Sequence, residues 1–185
     1  ASAKGAHFID LDGNKYIDLC LGDTGSMTGH SPAPTVAAIK SQLDKGMTAM
    51  LPTEDAVVVS RELSRRFGLP LWQFTVSATD ANRHVIRYSR LITGKKKIIV
   101  IDRCYHGSVD ETFATLDNAG RTVAREGNIG APVPLEETTR VVEFNDVEGM
   151  EEALKSGEIA AILMEPAMTN VGIVLPDEGL SLIHI

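Results

Sequence analysis

Short apolar runs alternate with polar residues over positions 7–11 and 16–19, on either side of Asp12-Gly13-Asn14. An Asp-Gly turn between two such runs predicts a β-hairpin. Ser31-Pro32-Ala33-Pro34 then opens a helix to about residue 45, with Val36, Ile39 and Leu43 at helical spacing and Gly46 as its stop. A second helix follows Pro52-Thr53, with Glu54 and Asp55 in its first turn and Val58, Leu63 and Phe67 on the side expected to be buried; Gly68 and Pro70 end it. Arg61, Arg65 and Arg66 fall on its wet face. From residue 71 the pattern becomes strand (71–76), helix (80–93), strand (97–101). After a weakly periodic excursion over 112–137 come a strand (140–144), a helix capped by Asp146 and a strand (159–164). Strands alternating with helices predict an α/β fold with a parallel sheet. We divide the chain into a small N-terminal part, residues 1–51, and a larger α/β part, residues 52–185.

Composition narrows the function. The 43% hydrophobic content over 185 residues supports a core, and a net charge of −7 disfavours non-specific nucleic-acid binding. No basic run is interleaved with aromatics, and Lys95-Lys96-Lys97 reads as a solvated loop. No apolar run has the length of a membrane span, and the first residues lack the order of a secretory signal, so a cytoplasmic protein is expected. Cys20 and Cys104 are read as free, buried thiols, with neither a metal nor a redox role.

Chemistry gathers where parallel strands end, since ligands of such sheets bind outside the carboxyl ends. Ser77-Ala78-Thr79 stands between the predicted strand 71–76 and its helix. Free N–H groups and the positive end of a helix dipole make an anion seat there, although a Ser or Thr in that place also serves as a plain cap. Tyr105 and His106 follow the next strand, and Glu165 follows the strand at 159–164. Each has a structural alternative: a core tyrosine, a satisfied histidine, a strand-end carboxylate paired with a cation. The glycine-rich segment from Gly22 to His30 reads as a loop, either a flexible linker or one that something approaches closely.

Three pieces in this order, Ser77-Ala78-Thr79-Asp80-Ala81, Cys104-Tyr105-His106-Gly107 and Glu165-Pro166 through Asn170, resemble the class III aminotransferases, fold-type I pyridoxal-phosphate enzymes. Within that family the likeness is greatest to glutamate-1-semialdehyde aminomutase-like proteins, and the opening hairpin extends it over nearly the whole chain. The resemblance implies a fold-type I architecture: an N-terminal segment followed by the first half of the large domain. It implies pyridoxal 5'-phosphate as cofactor, with Ser77, Ala78 and Thr79 at the phosphate, Tyr105 over the ring, His106 in support, Glu165 shaping the polar network and Asn170 at the O3′ oxygen. Ala78 stands where the family usually has Gly, which alters the backbone approach. It further implies Asp23, Thr24 and Ser26 as substrate contacts. Gly22-Asp23-Thr24-Gly25 replaces the Ser-Trp-Gly common in aminomutases, removing an aromatic wall and adding a carboxylate.

The family's Schiff-base lysine and the aspartate that pairs with the pyridine nitrogen match nothing here, so no catalytic residue is assigned. We read a fragment of an aminotransferase or aminomutase acting on an amino acid or an amino or keto aldehyde, and a homodimer when whole. The alternatives are other pyridoxal-phosphate chemistry on the same fold and a catalytically silent binding domain. A dinucleotide-binding reading lacks its Gly-x-Gly-x-x-Gly signature.

Overall fold

The computed structural model describes residues 1–47 and 50–180, and the chain forms two compact units that meet in sequence between Trp72 and Gln73. The last five residues lie outside the described residues.

The first unit holds a three-stranded antiparallel sheet, β1 (Ser2–Lys4), β2 (His7–Ile9) and β3 (Lys15–Ile17), in that order. The predicted hairpin is β2–β3. Its turn is held by the Asp10 carboxylate, which accepts from Asp12 N, Asn14 N, Asn14 Nδ2 and the Tyr16 hydroxyl at 2.9–3.0 Å. These donors, led by the Asn14 side chain, hold Asp10 below the usual carboxylate range. β1 was not predicted, because Ser2-Ala3-Lys4 has no apolar alternation; pairing with β2 makes it a strand. Helices α1 (Ala33–Lys45) and α2 (Glu54–Phe67) form where their caps and periodicity place them. Their apolar stripes, however, are not buried: Ile39, Leu43, Val58 and Phe67 are each more than half exposed. A helix stripe is buried only by a facing element, and the described residues supply none for these.

The second unit carries a parallel sheet of order β7-β4-β8, formed by β4 (Lys97–Ile101), β7 (Thr139–Val142) and β8 (Ile159–Leu163). β4 lies between two partners, and Ile98, Ile99, Val100 and Ile101 have no solvent exposure. This explains why its sequence is continuously apolar rather than alternating. Helix α3 (Ala78–Thr93) packs on β8 through a face that includes buried Ile86. Helix α4 (Val147–Lys155), capped by Asp146, which accepts from Gly149 N at 2.9 Å, packs Met150 and Ala153 into the core. The excursion contains a two-stranded ribbon, β5 (Ala114–Leu116) and β6 (Thr122–Ala124), fixed to β7 where Val141 N donates to the buried Thr122 hydroxyl at 3.0 Å.

Two expectations are corrected. Residues 71–76 are not a strand: no neighbour pairs with them among the described residues, and Leu71 and Val76 stand 88% and 100% exposed. A strand needs a partner for its N–H and C=O groups, and an apolar run alone does not provide one. Of the two free cysteines only Cys104 is buried, while Cys20 is exposed in the loop after β3. Burial pushes the Cys104 thiol up to about 11, so it stays protonated and inert at neutral pH.

Candidate functional site

Helix α3 starts two residues earlier than its sequence suggests, with Ser77 as N-cap in an extended conformation. Ser77 Oγ accepts from Asp80 N at 3.2 Å and donates to Asp80 Oδ2 at 3.1 Å, a local box that closes the first turn. Capping is therefore the task of Ser77, which frees the Thr79 hydroxyl. The amides of Ala78 and Thr79 occupy the first two helical positions, whose N–H groups have no acceptor within the helix.

Thr79 Oγ1 instead accepts from Ser108 N at 3.1 Å, which ties the helix start to the turn following β4. Asn82, one turn further along α3, donates its Nδ2 to the His106 carbonyl at 3.0 Å. Between these two bonds lies Gly107, with φ +79°, so close to Thr79 that a Cβ would overlap its hydroxyl. Arg103 also has a positive φ, 59°, at the point where the chain leaves the strand. Cys104 sits beneath the turn, its carbonyl accepting from Arg125 Nη2 at 2.9 Å. Tyr105 is 60% exposed, so it is not the core residue its composition alone would suggest.

From the parallel neighbour β8, Glu165 reaches the same edge. One carboxylate oxygen accepts from Thr169 N at 3.0 Å and Thr169 Oγ1 at 2.9 Å, and the other from Tyr105 N at 3.4 Å. The partners are N–H and O–H groups rather than the cation of the structural alternative. The chain then doubles back through a bridge between Met168 and Val174, and Asn170 lies exposed near its tip. The structure thus joins Ser77, Ala78, Thr79, Tyr105, His106 and Glu165 by hydrogen bonds and chain continuity. Among the described residues, Asn170 is linked to them along the chain from Thr169.

His106 is half-buried, and its Nε2 is a buried atom without a hydrogen-bond partner among the described residues. Desolvation lowers its pKa, with Arg125 acting the same way and Glu165 and the Leu163 carbonyl opposing. The ring is neutral at pH 7, leaving Nε2 ready for a ligand atom. The folded pKa lies below the unfolded value of about 6.5, so the contribution to stability is complete above that pH and is lost as pH falls from there through the folded pKa. His106→Gln should flatten this part of the profile: urea midpoints of parent and variant should converge between about pH 7.5 and pH 5.5.

In the first unit Asp23, Thr24 and Ser26 lie on one loop, where Asp23 and Thr24 have φ of 54° and 65° and expose their side chains. Ser26 Oγ is 3.1 Å from His30 Nδ1, and His30 Nε2 is 2.6 Å from Asp18 Oδ2. Sequence reasoning missed Asp18 and His30, together with Asn82, Ser108 and Thr169. Asp18, His30, Asn82 and Ser108 meet residues 12 to 29 positions away, for which no spacing gives a signal, whereas Thr169 meets Glu165 only four positions away.

The family model for class-III aminotransferases matches residues 1–181. The chain belongs to this family. A glutamate-1-semialdehyde 2,1-aminomutase of Methanocaldococcus jannaschii is 35% identical over 180 residues, 96% of this chain and 42% of that protein. The crystal structure of a glutamate-1-semialdehyde aminomutase from Pseudomonas aeruginosa is 50% identical with a TM-score of 0.94, covering 98% of this chain and 40% of that one. A variant of that organism's enzyme was solved in complex with PMP. An omega-transaminase from Sphaerobacter thermophilus is 29% identical with a TM-score of 0.84 over 96% of this chain and 42% of that one. The chain spans about two fifths of the length of these relatives, and its α/β architecture is that of a fold-type I aminotransferase.

The class-III assignment makes a phosphorylated aromatic cofactor the group to test against the site. Two amides without an acceptor in their own 16-residue helix suit a phosphate, an exposed Tyr105 ring suits a flat heterocycle, and His106 Nε2, buried without a partner among the described residues, suits a polar substituent. The residues present fit such a group.

Proposed function

We propose that this chain is part of a pyridoxal-phosphate-dependent aminotransferase or aminomutase acting on an amino acid or an amino or keto aldehyde. The observation that carries the reading is the hydrogen-bonded meeting of Thr79, Ser108, Tyr105 and Glu165 at the carboxyl edge of the sheet in a class-III chain. Pyridoxal phosphate, when bound, would supply the electron sink for moving an amino group.

The residues present bind and orient. Ala78 and Thr79 would hold the phosphate through their amides, with Ser77 keeping the helix start closed beneath it. The Thr79 hydroxyl is engaged by Ser108 N, so it fixes the turn that carries Tyr105 as well as lining the phosphate seat. Tyr105 would set the ring plane, and Glu165 fixes its backbone by accepting from Tyr105 N. Neutral His106 would meet a polar edge of the group through Nε2, and Asn170 would bond the O3′ oxygen. The lysine that carries the cofactor and the aspartate at its ring nitrogen belong to the part of the relatives this chain does not span.

Asp23 and Thr24 would meet the substrate, and Ser26 supports their loop. The exposed Asp23 carboxylate suits an ammonium or hydroxyl on the substrate rather than a second carboxylate. We further propose residues 1–51 as part of the small domain and 52–185 as part of the large one, in a cytoplasmic homodimer. The exposed apolar stripes of α1 and α2 support that assembly.

Full-length protein mixed with pyridoxal phosphate should gain a visible absorption band that borohydride abolishes and an amino donor shifts. A folded full-length protein with no such band would overturn the reading in favour of a silent binding domain. An unshifted band with every amino donor, together with release of carbon dioxide or inversion of a stereocentre, would favour other chemistry on the same cofactor.

A further inference from the structure

Four consecutive residues of the loop after β3 have positive φ: Leu21 (57°), Gly22 (60°), Asp23 (54°) and Thr24 (65°). Residues with side chains visit this region singly, because Cβ crowds the following carbonyl, so three of them beside one glycine form a strained turn. Local hydrogen bonds close it: Thr24 N donates to the Cys20 carbonyl at 3.1 Å and Ser26 N to the Leu21 carbonyl at 2.7 Å. Such bonds arise in any tight turn and do not explain why this one is left-handed. Something outside it must hold it.

Asp18 and His30 are placed to do so. The Asp18 carboxylate accepts from Cys20 N at 2.9 Å and from Gly22 N at 2.7 Å, so it grips the turn at its entrance. The same carboxylate meets His30 Nε2 at 2.6 Å, and His30 Nδ1 meets Ser26 Oγ at 3.1 Å, at the exit. One aspartate and one imidazole therefore span the turn from end to end. Both are anchored to the turn between β1 and β2: Asp18 N donates to the Ala6 carbonyl at 2.8 Å, and His30 exchanges two backbone bonds of 2.9 Å with Gly5. The set is largely shielded, with side-chain exposures of 18% for His30 and 8% for Asp18. Its donors hold Asp18 below the usual carboxylate range, the His30 bond first among them.

The order Asp, His, Ser invites comparison with a hydrolytic triad, but the packing opposes it. A Cβ on Gly22 would lie 2.9 Å from Ser26 Oγ and 3.1 Å from His30 Cε1, so the turn closes directly over the hydroxyl. A nucleophile needs an open approach to its oxygen.

We propose that Asp18, His30 and Ser26 form a lock that holds residues 21–24 in their left-handed turn, and that Asp18 and His30 are positioning residues for substrate recognition by Asp23 and Thr24. The second half rests on the proposed amino-transfer function. A preformed turn presents the Asp23 carboxylate in one place, whereas a relaxed loop would have to order it on each binding event.

The test uses the full-length, cofactor-loaded protein with His30→Ala and, as a variant that removes no polar group, Gly22→Ala. Backbone hydrogen exchange over residues 20–26 should quicken by about tenfold or more in both, with β4 unchanged. KM for the amino donor should rise by about tenfold while kcat stays within about twofold and the cofactor band is retained. Unchanged exchange in both variants overturns the lock, and faster exchange with an unchanged KM overturns its positioning role. If the parent protein transfers no amino group, the proposed function falls instead, and the exchange rates alone uphold or overturn the lock.

Discussion

Gly107→Ala should lower the unfolding free energy by about 2–4 kcal/mol, the larger of the two strongest effects expected from single substitutions at this site. Two costs combine. Residue 107 has φ +79°, where an L side chain costs roughly 1–2 kcal/mol. The new Cβ would also overlap Thr79 Oγ1 and approach Thr79 Cβ to 3.2 Å and Thr79 Cα to 3.3 Å. Backbone and a β-branched side chain cannot step aside easily, and overpacking of this kind costs about 1–3 kcal/mol. The displaced hydroxyl is the one that accepts from Ser108 N, so the helix start and the β4 turn would part. Cofactor affinity of the full-length protein should therefore fall by about tenfold or more. Gly94→Ala is the control: φ is +68° there, and nothing lies within 4 Å of the added carbon. It should pay the conformational cost alone and leave cofactor affinity unchanged. Equal urea midpoints for the two variants would show that the contact with Thr79 does not matter.

The same contrast shows what a sequence reader can and cannot see. Gly94 is legible, because a glycine after a helical run with Arg90 in its last turn reads as a C-cap. Gly107 reads only as one member of a motif; that its missing Cβ makes room for a threonine 28 positions earlier is a tertiary fact. The helices, the hairpin, β4 and β8 were legible because periodicity, caps and turn residues are local. Residues 71–76 misled for the complementary reason: their apolar run satisfies a strand pattern, but pairing requires a neighbour, and none is present among the described residues. Thr79 was legible as a residue of the anion seat and illegible as the acceptor for Ser108. Asp18 and His30 lie 12 positions apart without any spacing rule to connect them, so their contact emerged only from the folded geometry.

Glu165→Ala should cost about 1–3 kcal/mol and loosen the Tyr105 turn, since it removes the acceptor from three donors at once. Thr169 N and Thr169 Oγ1 lose bonds of 3.0 and 2.9 Å, and Tyr105 N loses a longer one of 3.4 Å. Partial exposure lets water replace some of these, which places the expectation below that for a fully buried acceptor. The longer bond matters more for function than its length suggests, because among the described residues it links the β8 edge to the backbone of Tyr105. Cofactor affinity should fall with it, and Glu165→Gln, which keeps one carbonyl oxygen for the Thr169 donors, should fall less. A second readout separates this from general loosening. The Glu165 charge favours protonated His106, in opposition to burial, so its removal must lower the His106 pKa further. NMR titration of the His106 ring should therefore move to lower pH in both variants, including the one that keeps most of its stability. A His106 titration that stays in place in Glu165→Gln would mean that Glu165 acts on this site through the Thr169 turn alone, and that the carboxylate charge has no part in setting the protonation state of the ring.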